Sequence, residues 1–264
     1  MERGFVICRG VGVASIALCV ILSSSIGLTA GEWGAYRGGK ARRSYSSEPF
    51  STEISLAWTT ESQSRPQPAW PAPARKSYWQ QLESITARVT DDQAFHPIVV
   101  GSKVYFGSSA DDHLYCLDVE DGSLEWRFGA DGPIRYAPTV AGDRIVFGSD
   151  DGIVYCLDRT SGQESWRRRL SDRDWRIPGN GRLISSWPIR TGCVVVGDHV
   201  YATSGLYPQQ GAWAFSIELA TGRIAWRVPL AESPQGYLLA SSLRLFIPTG
   251  RSQPISLDLA TGKE

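Results

Sequence analysis

Ile145-Val146-Phe147-Gly148-Ser149-Asp150-Asp151-Gly152-Ile153-Val154-Tyr155-Cys156-Leu157-Asp158, continuing through Ser161-Gly162-Gln163-Glu164-Ser165-Trp166, is the stretch that decides the fold. Two runs of β-branched and aromatic residues flank a turn at Asp150-Asp151-Gly152. A second turn at Gly162 leads into the segment that carries Trp166. Short apolar runs punctuated by Gly and Asp read as strands joined by tight turns. The same order stands earlier in Val104-Tyr105-Phe106-Gly107-Ser108, His113-Leu114-Tyr115-Cys116-Leu117-Asp118 and Asp121-Gly122-Ser123-Leu124-Glu125-Trp126. Asp118 to Asp158, Gly122 to Gly162 and Trp126 to Trp166 are all 40 residues apart. Three landmarks in one register mark a structural repeat.

Two further copies follow. Glu218, Gly222 and Trp226 close a third that is longer by about 20 residues than the 40-residue period, and Asp258 and Gly262 belong to a fourth. Each copy reads as a four-stranded antiparallel meander. Its first strand is expected after a proline, at Pro97-Ile98-Val99, at Pro138-Thr139-Val140 and, less cleanly, at Trp187-Pro188-Ile189. The acidic residue that ends strand three is expected to accept N–H bonds in the next turn. One such sheet is too thin to bury both faces, so it must stack on a neighbour, with the Trp in the seam. The fold expected is all-β, a propeller segment of about four four-stranded blades in an incomplete ring.

The pattern resembles the PQQ-like β-propeller repeat of exported quinoproteins, most closely from Asp151-Gly152 through Trp166. Trp33-Gly34-Ala35-Tyr36-Arg37-Gly38 is similar to the opening of such proteins, and Leu56-Ala57-Trp58 has the look of a lone fourth strand that closes a ring. The resemblance implies six to eight blades, so the repeats are expected to continue past Glu264. It also implies, for dehydrogenases of this fold, PQQ and calcium held beside a Cys-Cys pair. The sequence has no adjacent cysteines, and the acidic residues recur in every blade, which suits architecture. No cofactor is expected, neither PQQ nor calcium, and no catalytic or metal-binding residue is assigned.

Charge and composition narrow the rest. Lys and Arg number 27 against 27 Asp and Glu, which gives no support for a nucleic-acid partner. Arg3 and Arg9 followed by the apolar run Val11 to Leu22 and a small-residue stretch to Ala30 read as a signal peptide over 1–30. An uncleaved membrane anchor is the rival reading. Both place the protein outside the cytoplasm, in the periplasm or cell envelope. Cys116, Cys156 and Cys193 make no disulfide framework, and Cys116 and Cys156 occupy one position in two repeats, as small buried hydrophobes do. His96, His113 and His199 lack metal-ligand spacing. Asp111-Asp112 and Asp150-Asp151 read as hairpin turns.

Beyond an N-terminal segment at 31–60, two stretches do not repeat, and function on a repeat scaffold gathers in such places. Residues 61–94, with the proline-rich Arg65 to Pro73 and a short helix expected at Tyr78 to Leu82, read as a linker before the repeats at 95–264. Arg167 to Arg190 is rich in arginine and tryptophan. Arg173, Trp175, Arg176, Arg182 and Trp187 form the candidate binding loop, suited to stacking and bidentate contacts with a protein or an envelope polysaccharide. The function expected is a non-catalytic exported scaffold, similar to the propeller of the outer-membrane barrel-assembly machinery. The other reading is a PQQ-dependent oxidoreductase whose cofactor residues lie in a further C-terminal half.

Overall fold

Alternating apolar residues and tight glycine turns give three four-stranded antiparallel sheets and one three-stranded sheet among the described residues. The computed structural model describes residues 33–46, 55–61, 64, 82, 95–179, 182–249 and 252–264. The signal-peptide region, the proline-rich stretch and the helix expected at 78–82, except for Leu82, lie outside them. The first blade comprises β1 (Ile98–Val100), β2 (Lys103–Gly107), β3 (His113–Asp118) and β4 (Leu124–Gly129). The second comprises β5 (Thr139–Ala141), β6 (Arg144–Gly148), β7 (Ile153–Asp158) and β8 (Glu164–Arg169). A hairpin of β9 (Arg176–Gly179) and β10 (Arg182–Ser185) follows, then a short β11 (Thr191–Gly192). The third blade is β12 (Val194–Val196), β13 (His199–Ser204), β14 (Trp213–Glu218) and β15 (Ile224–Pro229). After β16 (Gly236–Tyr237), which pairs in parallel with β11, the fourth sheet holds β17 (Leu239–Ala240), β18 (Arg244–Ile247) and β19 (Ile255–Asp258).

The hydrophobic core lies between blades. One cluster joins Tyr105 and Cys116 of the first blade to Phe147 and Tyr155 of the second. A second joins Val154 and Cys156 to Val200 and Phe215. A third joins Tyr201 and Ala214 to Leu245 and Leu257. Interlocking of this kind buries both faces of sheets that could not stand alone.

The tryptophans close each seam in one way. A bulge at the same place in each four-stranded blade, between Cys116 and Leu117, Cys156 and Leu157, and Ser216 and Ile217, inserts one residue just before the Trp. The indole N–H of Trp126 donates to Arg159 O at 3.2 Å, that of Trp166 to Leu219 O at 2.8 Å and that of Trp226 to Leu259 O at 2.9 Å. Each ring covers the turn glycine of the next blade, Gly162, Gly222 and Gly262, where φ is near +70° and no side chain fits. The carboxylates ahead of these glycines bind the turn. Asp118 Oδ1 accepts the Glu120 N–H at 2.8 Å, Asp158 Oδ1 the Ser161 N–H at 2.8 Å, and Asp258 Oδ1 the Thr261 N–H at 2.9 Å. The longer Glu218 takes the Thr221 hydroxyl at 2.7 Å instead.

Three expectations are corrected. Residues 55–61 form no strand, because no neighbouring strand among the described residues runs beside them. Trp58 alone keeps the repeat's geometry, donating to Val119 O at 2.9 Å and covering Gly122. Strand one of the third blade is β12, preceded by Cys193 and not by a proline. Pro188-Ile189 instead matches Pro133-Ile134. Ile134 packs on Gly107 and Ile189 on Gly148, so closely that a β-carbon would stand 2.3 and 2.2 Å from their methyl groups. Finally, Arg167, Arg168 and Arg169 belong to β8, and the insertion begins after them.

Residues 33–46 cross the inner strands. Trp33 pairs with Val99, Gly34 O accepts from Val140 N at 2.7 Å, and Lys40 O from Ala240 N at 2.9 Å. The buried Arg42 guanidinium donates to Leu238 O, Tyr36 O and Cys193 O at 3.0–3.1 Å. Tyr36 stacks on Tyr237 at 3.8 Å between ring centres. This segment ties all four blades together from within.

Candidate functional site

Two copies of Pro-Ile-Arg, at Pro133-Ile134-Arg135 and Pro188-Ile189-Arg190, enter the second and third blades and converge on one carboxylate. Asp150 is fully buried in the turn between β6 and β7. Arg135 Nε donates to its Oδ2 at 2.7 Å, and Arg190 Nε stands 2.7 Å from its Oδ1 without the alignment of a hydrogen bond. Burial draws the Arg135 pKa below its ordinary value, and the charge of Asp150 opposes that shift. The Asp150 backbone is also engaged, its N–H donating to Pro133 O at 2.9 Å and its carbonyl accepting from Ser185 N at 2.8 Å. One residue thus joins two inter-blade loops to the hairpin strand β10. Its neighbour Asp151 accepts the Tyr155 hydroxyl at 2.5 Å and the Ile153 N–H at 2.9 Å, and burial raises its pKa.

The hairpin β9–β10 stands on this anchor, with Ser186 N donating to Trp175 O at 2.8 Å. Of the candidate arginines Arg176 is ion-paired, and two strand arginines take the acidic residues of the loop. Asp174 Oδ1 receives Arg169 at 2.9 Å and Arg176 at 3.3 Å, and Asp172 receives Arg227 through both oxygens at 3.0 Å. Arg173 lies over the Trp175 ring at 4.9 Å. Arg182 pairs through its backbone with Gly179 in the hairpin register. The two tryptophans diverge in role. Trp187 is buried and donates to Gln210 O at 2.9 Å, whereas Trp175, 5.9 Å from it between ring centres, is 57% exposed. Ile177 and Leu183 are exposed on the same hairpin, Leu183 to 57%. The hairpin therefore exposes an apolar side chain on each face, Ile177 opposite Ile184 on one and Leu183 opposite Pro178 on the other, with surface ion pairs near its start. The sequence pointed to Arg173, Trp175, Arg176, Arg182 and Trp187 and to Asp150 only as a hairpin turn, and it did not single out Arg135, Ile177 or Leu183; the second Pro-Ile-Arg was the available signal.

The PQQ-repeat family described as outer membrane protein assembly factor BamB matches residues 58–211, more than half of the chain. The chain belongs to this family. Relatives of this BamB-type chain by sequence fall in two groups. The 1-butanol dehydrogenase (quinone) of Thauera butanivorans is 23% identical over 150 residues, 53% of this chain and 24% of that protein. BamB of Moranella endobia is 25% identical over 139 residues, 51% of this chain and 34% of that protein. The chain thus spans about a quarter to a third of the length of these relatives. Among solved structures, quinohemoprotein alcohol dehydrogenase from Comamonas testosteroni superposes with a TM-score of 0.63 at 14% identity, over 89% of this chain and 40% of that one. BamB from Moraxella catarrhalis gives 0.50 at 19% identity, over 67% and 52%. These likenesses establish the propeller fold.

The fold raises PQQ and calcium as cofactors. Both oxygens of Asp150 face arginine, and those of Asp151 are taken by Tyr155, Ile153 and Asp131. A calcium ion needs six to eight oxygens free to face it. Among the described residues no group of three or more His, Cys, Asp or Glu side chains is placed to hold a metal. These two carboxylates do not offer calcium open oxygens, and no reaction step is built on either group.

Proposed function

We propose that this chain is a non-catalytic binding scaffold of the cell envelope that takes a protein partner on the β9–β10 hairpin. The observation that carries this reading is the anchored, apolar hairpin. Trp175 just before β9, Ile177 on one face of the strand pair and Leu183 on the other stand exposed beside the anchor formed by Asp150 and the Arg169–Asp174–Arg176 ion pairs. Apolar side chains on a rigid projection supply the desolvated anchors on which protein interfaces depend. Paired arginines at its base favour a protein over an anionic sugar polymer. The BamB relatives, whose name describes outer-membrane protein assembly, support the placement in an envelope assembly.

The test uses the full chain in its host envelope, with a photo-crosslinking residue at Leu183 or, as control, at Glu120 on the far turn. A discrete protein adduct from position 183 that is lost in Trp175→Ser supports the proposal. Equal adducts from both positions, or no effect of Trp175→Ser, would overturn it. The second reading, a PQQ-dependent oxidoreductase, is favoured by the dehydrogenase relatives. Dye reduction by the purified chain with PQQ, calcium and a primary alcohol would establish it in place of the first.

A further inference from the structure

The inner segment carries a feature that neither the repeat nor the hairpin explains. Residues 35–44 form one closed loop, pinned by Gly38 N to Ala35 O, Arg42 N to Gly39 O and Ser44 N to Arg37 O at 2.9–3.1 Å. Arg37, Arg42 and Ser44 in this loop have φ between +51° and +57°, although none is glycine. Non-glycine residues persist there only where surrounding contacts hold them, and such strain gathers at functional sites. The contacts here are those of Arg42, whose three donors bind carbonyls of other segments.

With Arg42 bolted inward, the loop displays Arg37, Lys40 and Arg43 to solvent. None of the three has an ion-pair partner among the described residues, and the sequence has no acidic residue from Trp33 to Ser47. Glu32 and Glu48, the nearest acidic residues in sequence, lie outside the described residues. A pocket of about 300 Å³ opens beside it, with Gly38, Gly39 and Lys40 on one wall and Val140, Ala141 and Val195 on the other. Lys40 is the only charged residue lining it among the described residues. Asp143, in the adjoining turn, is paired with Arg144 at 3.6 Å and does not line it. The pocket lies toward the ends of β5 and β12, away from the Asp150 turn and the hairpin.

We infer that this loop and pocket bind a phosphate-bearing anion. Three exposed cations in one short loop, without ion-pair partners among the described residues, match a group that carries near two negative charges and three strong acceptor oxygens at neutral pH. The cation count exceeds what a single carboxylate would need. A free phosphate and a phospholipid headgroup share this chemistry.

Titration of the full chain with pyrophosphate by calorimetry, and co-sedimentation with phosphatidylglycerol or phosphatidylcholine vesicles, distinguish the two sources. The expected result is saturable binding to pyrophosphate or to phosphatidylglycerol vesicles, weakened at least tenfold in Arg37→Gln/Lys40→Gln/Arg43→Gln. These side chains are exposed, so the melting temperature should stay unchanged; Lys40→Glu alone repeats the comparison with one substitution. Binding to pyrophosphate alone assigns a soluble ligand, and binding to phosphatidylglycerol alone a membrane surface. Binding to neither, or undiminished binding in both variants, would overturn the inference.

Discussion

The Trp166 indole lies on Gly222 so closely that a β-carbon at the glycine would stand 2.7 Å from ring atom Cδ2. The same ring donates its N–H to Leu219 O at 2.8 Å, so stacking and hydrogen bond fix one orientation of the second blade against the third. Tryptophan and glycine are thus two halves of one contact, repeated at Trp58–Gly122, Trp126–Gly162 and Trp226–Gly262.

Gly222→Ala is expected to destabilise by about 2–4 kcal/mol, combining left-handed backbone strain with displacement of the ring. Gly142→Ala isolates the first effect, because φ is +60° there but nothing lies within 4 Å of the new methyl. Its expected cost is about 1–2 kcal/mol. Urea unfolding of both variants measures the difference, and equal losses would show that the seam adds nothing beyond the backbone.

Asp150→Asn leaves two arginines, one of them buried with it, facing a neutral amide. Removing one partner of a buried pair costs about 3–5 kcal/mol, because the remaining charge is uncompensated. The Ser185 amide, bonded to the Asp150 carbonyl, should lose protection first in hydrogen exchange, ahead of the Leu257 amide in β19. Adding Arg135→Met and Arg190→Met to Asp150→Asn is expected to recover much of the stability. A triple variant no more stable than Asp150→Asn would mean that the arginines themselves hold the loops.

Acid sensitivity should come from the turn carboxylates. Backbone N–H groups of Glu120 and Ser161 hold Asp118 and Asp158 below the ordinary carboxylate range, and the Thr261 hydroxyl does so for Asp258. A folded-state pKa below the unfolded value, about 3.9, gives stability that is present above that pH and lost as pH falls through the folded value. Asp151 acts in reverse, since burial raises its pKa and its contribution is lost as pH rises through that value. Urea midpoints of Asp118→Asn/Asp158→Asn/Asp258→Asn should therefore change less between pH 5 and about pH 3 than those of the parent. Parallel curves would exclude these turns as the source.

Strands β2, β3, β6 and β7 were legible because their β-branched runs and turn glycines repeat in one register. The tryptophan at 58 was legible as a landmark, but the strand around it was not, since a strand needs a neighbour that local sequence does not reveal. The Asp150 site lay hidden for a related reason. Its two Pro-Ile-Arg segments fall out of the 40-residue register because the hairpin insertion separates them. The pairing of Arg169 and Arg176 with Asp174 likewise depends on how the chain folds between β8 and β9, so part of the positive charge read in this loop is balanced locally.

The cysteines report whether blades open singly or together. Burial pushes the Cys116 and Cys156 thiols up to about 11 and that of Cys193 to about 12. At pH 8 a thiol with pKa 11 is ionised in about one molecule in a thousand, and only the thiolate reacts readily. All three side chains are nearly inaccessible, so alkylation requires opening of the surrounding sheets. Cys116 belongs to the core between the first and second blades, while Cys156 and Cys193 belong to that between the second and third. The second blade gives one face to each core, so both open together if that blade must unfold for either to open. Peptide mapping after timed iodoacetamide exposure at pH 8 should find the three positions modified at one common rate, equal to that of global unfolding. Faster labelling of Cys116 would show that the first blade detaches alone and that the seam at Trp126 is weaker than those that follow.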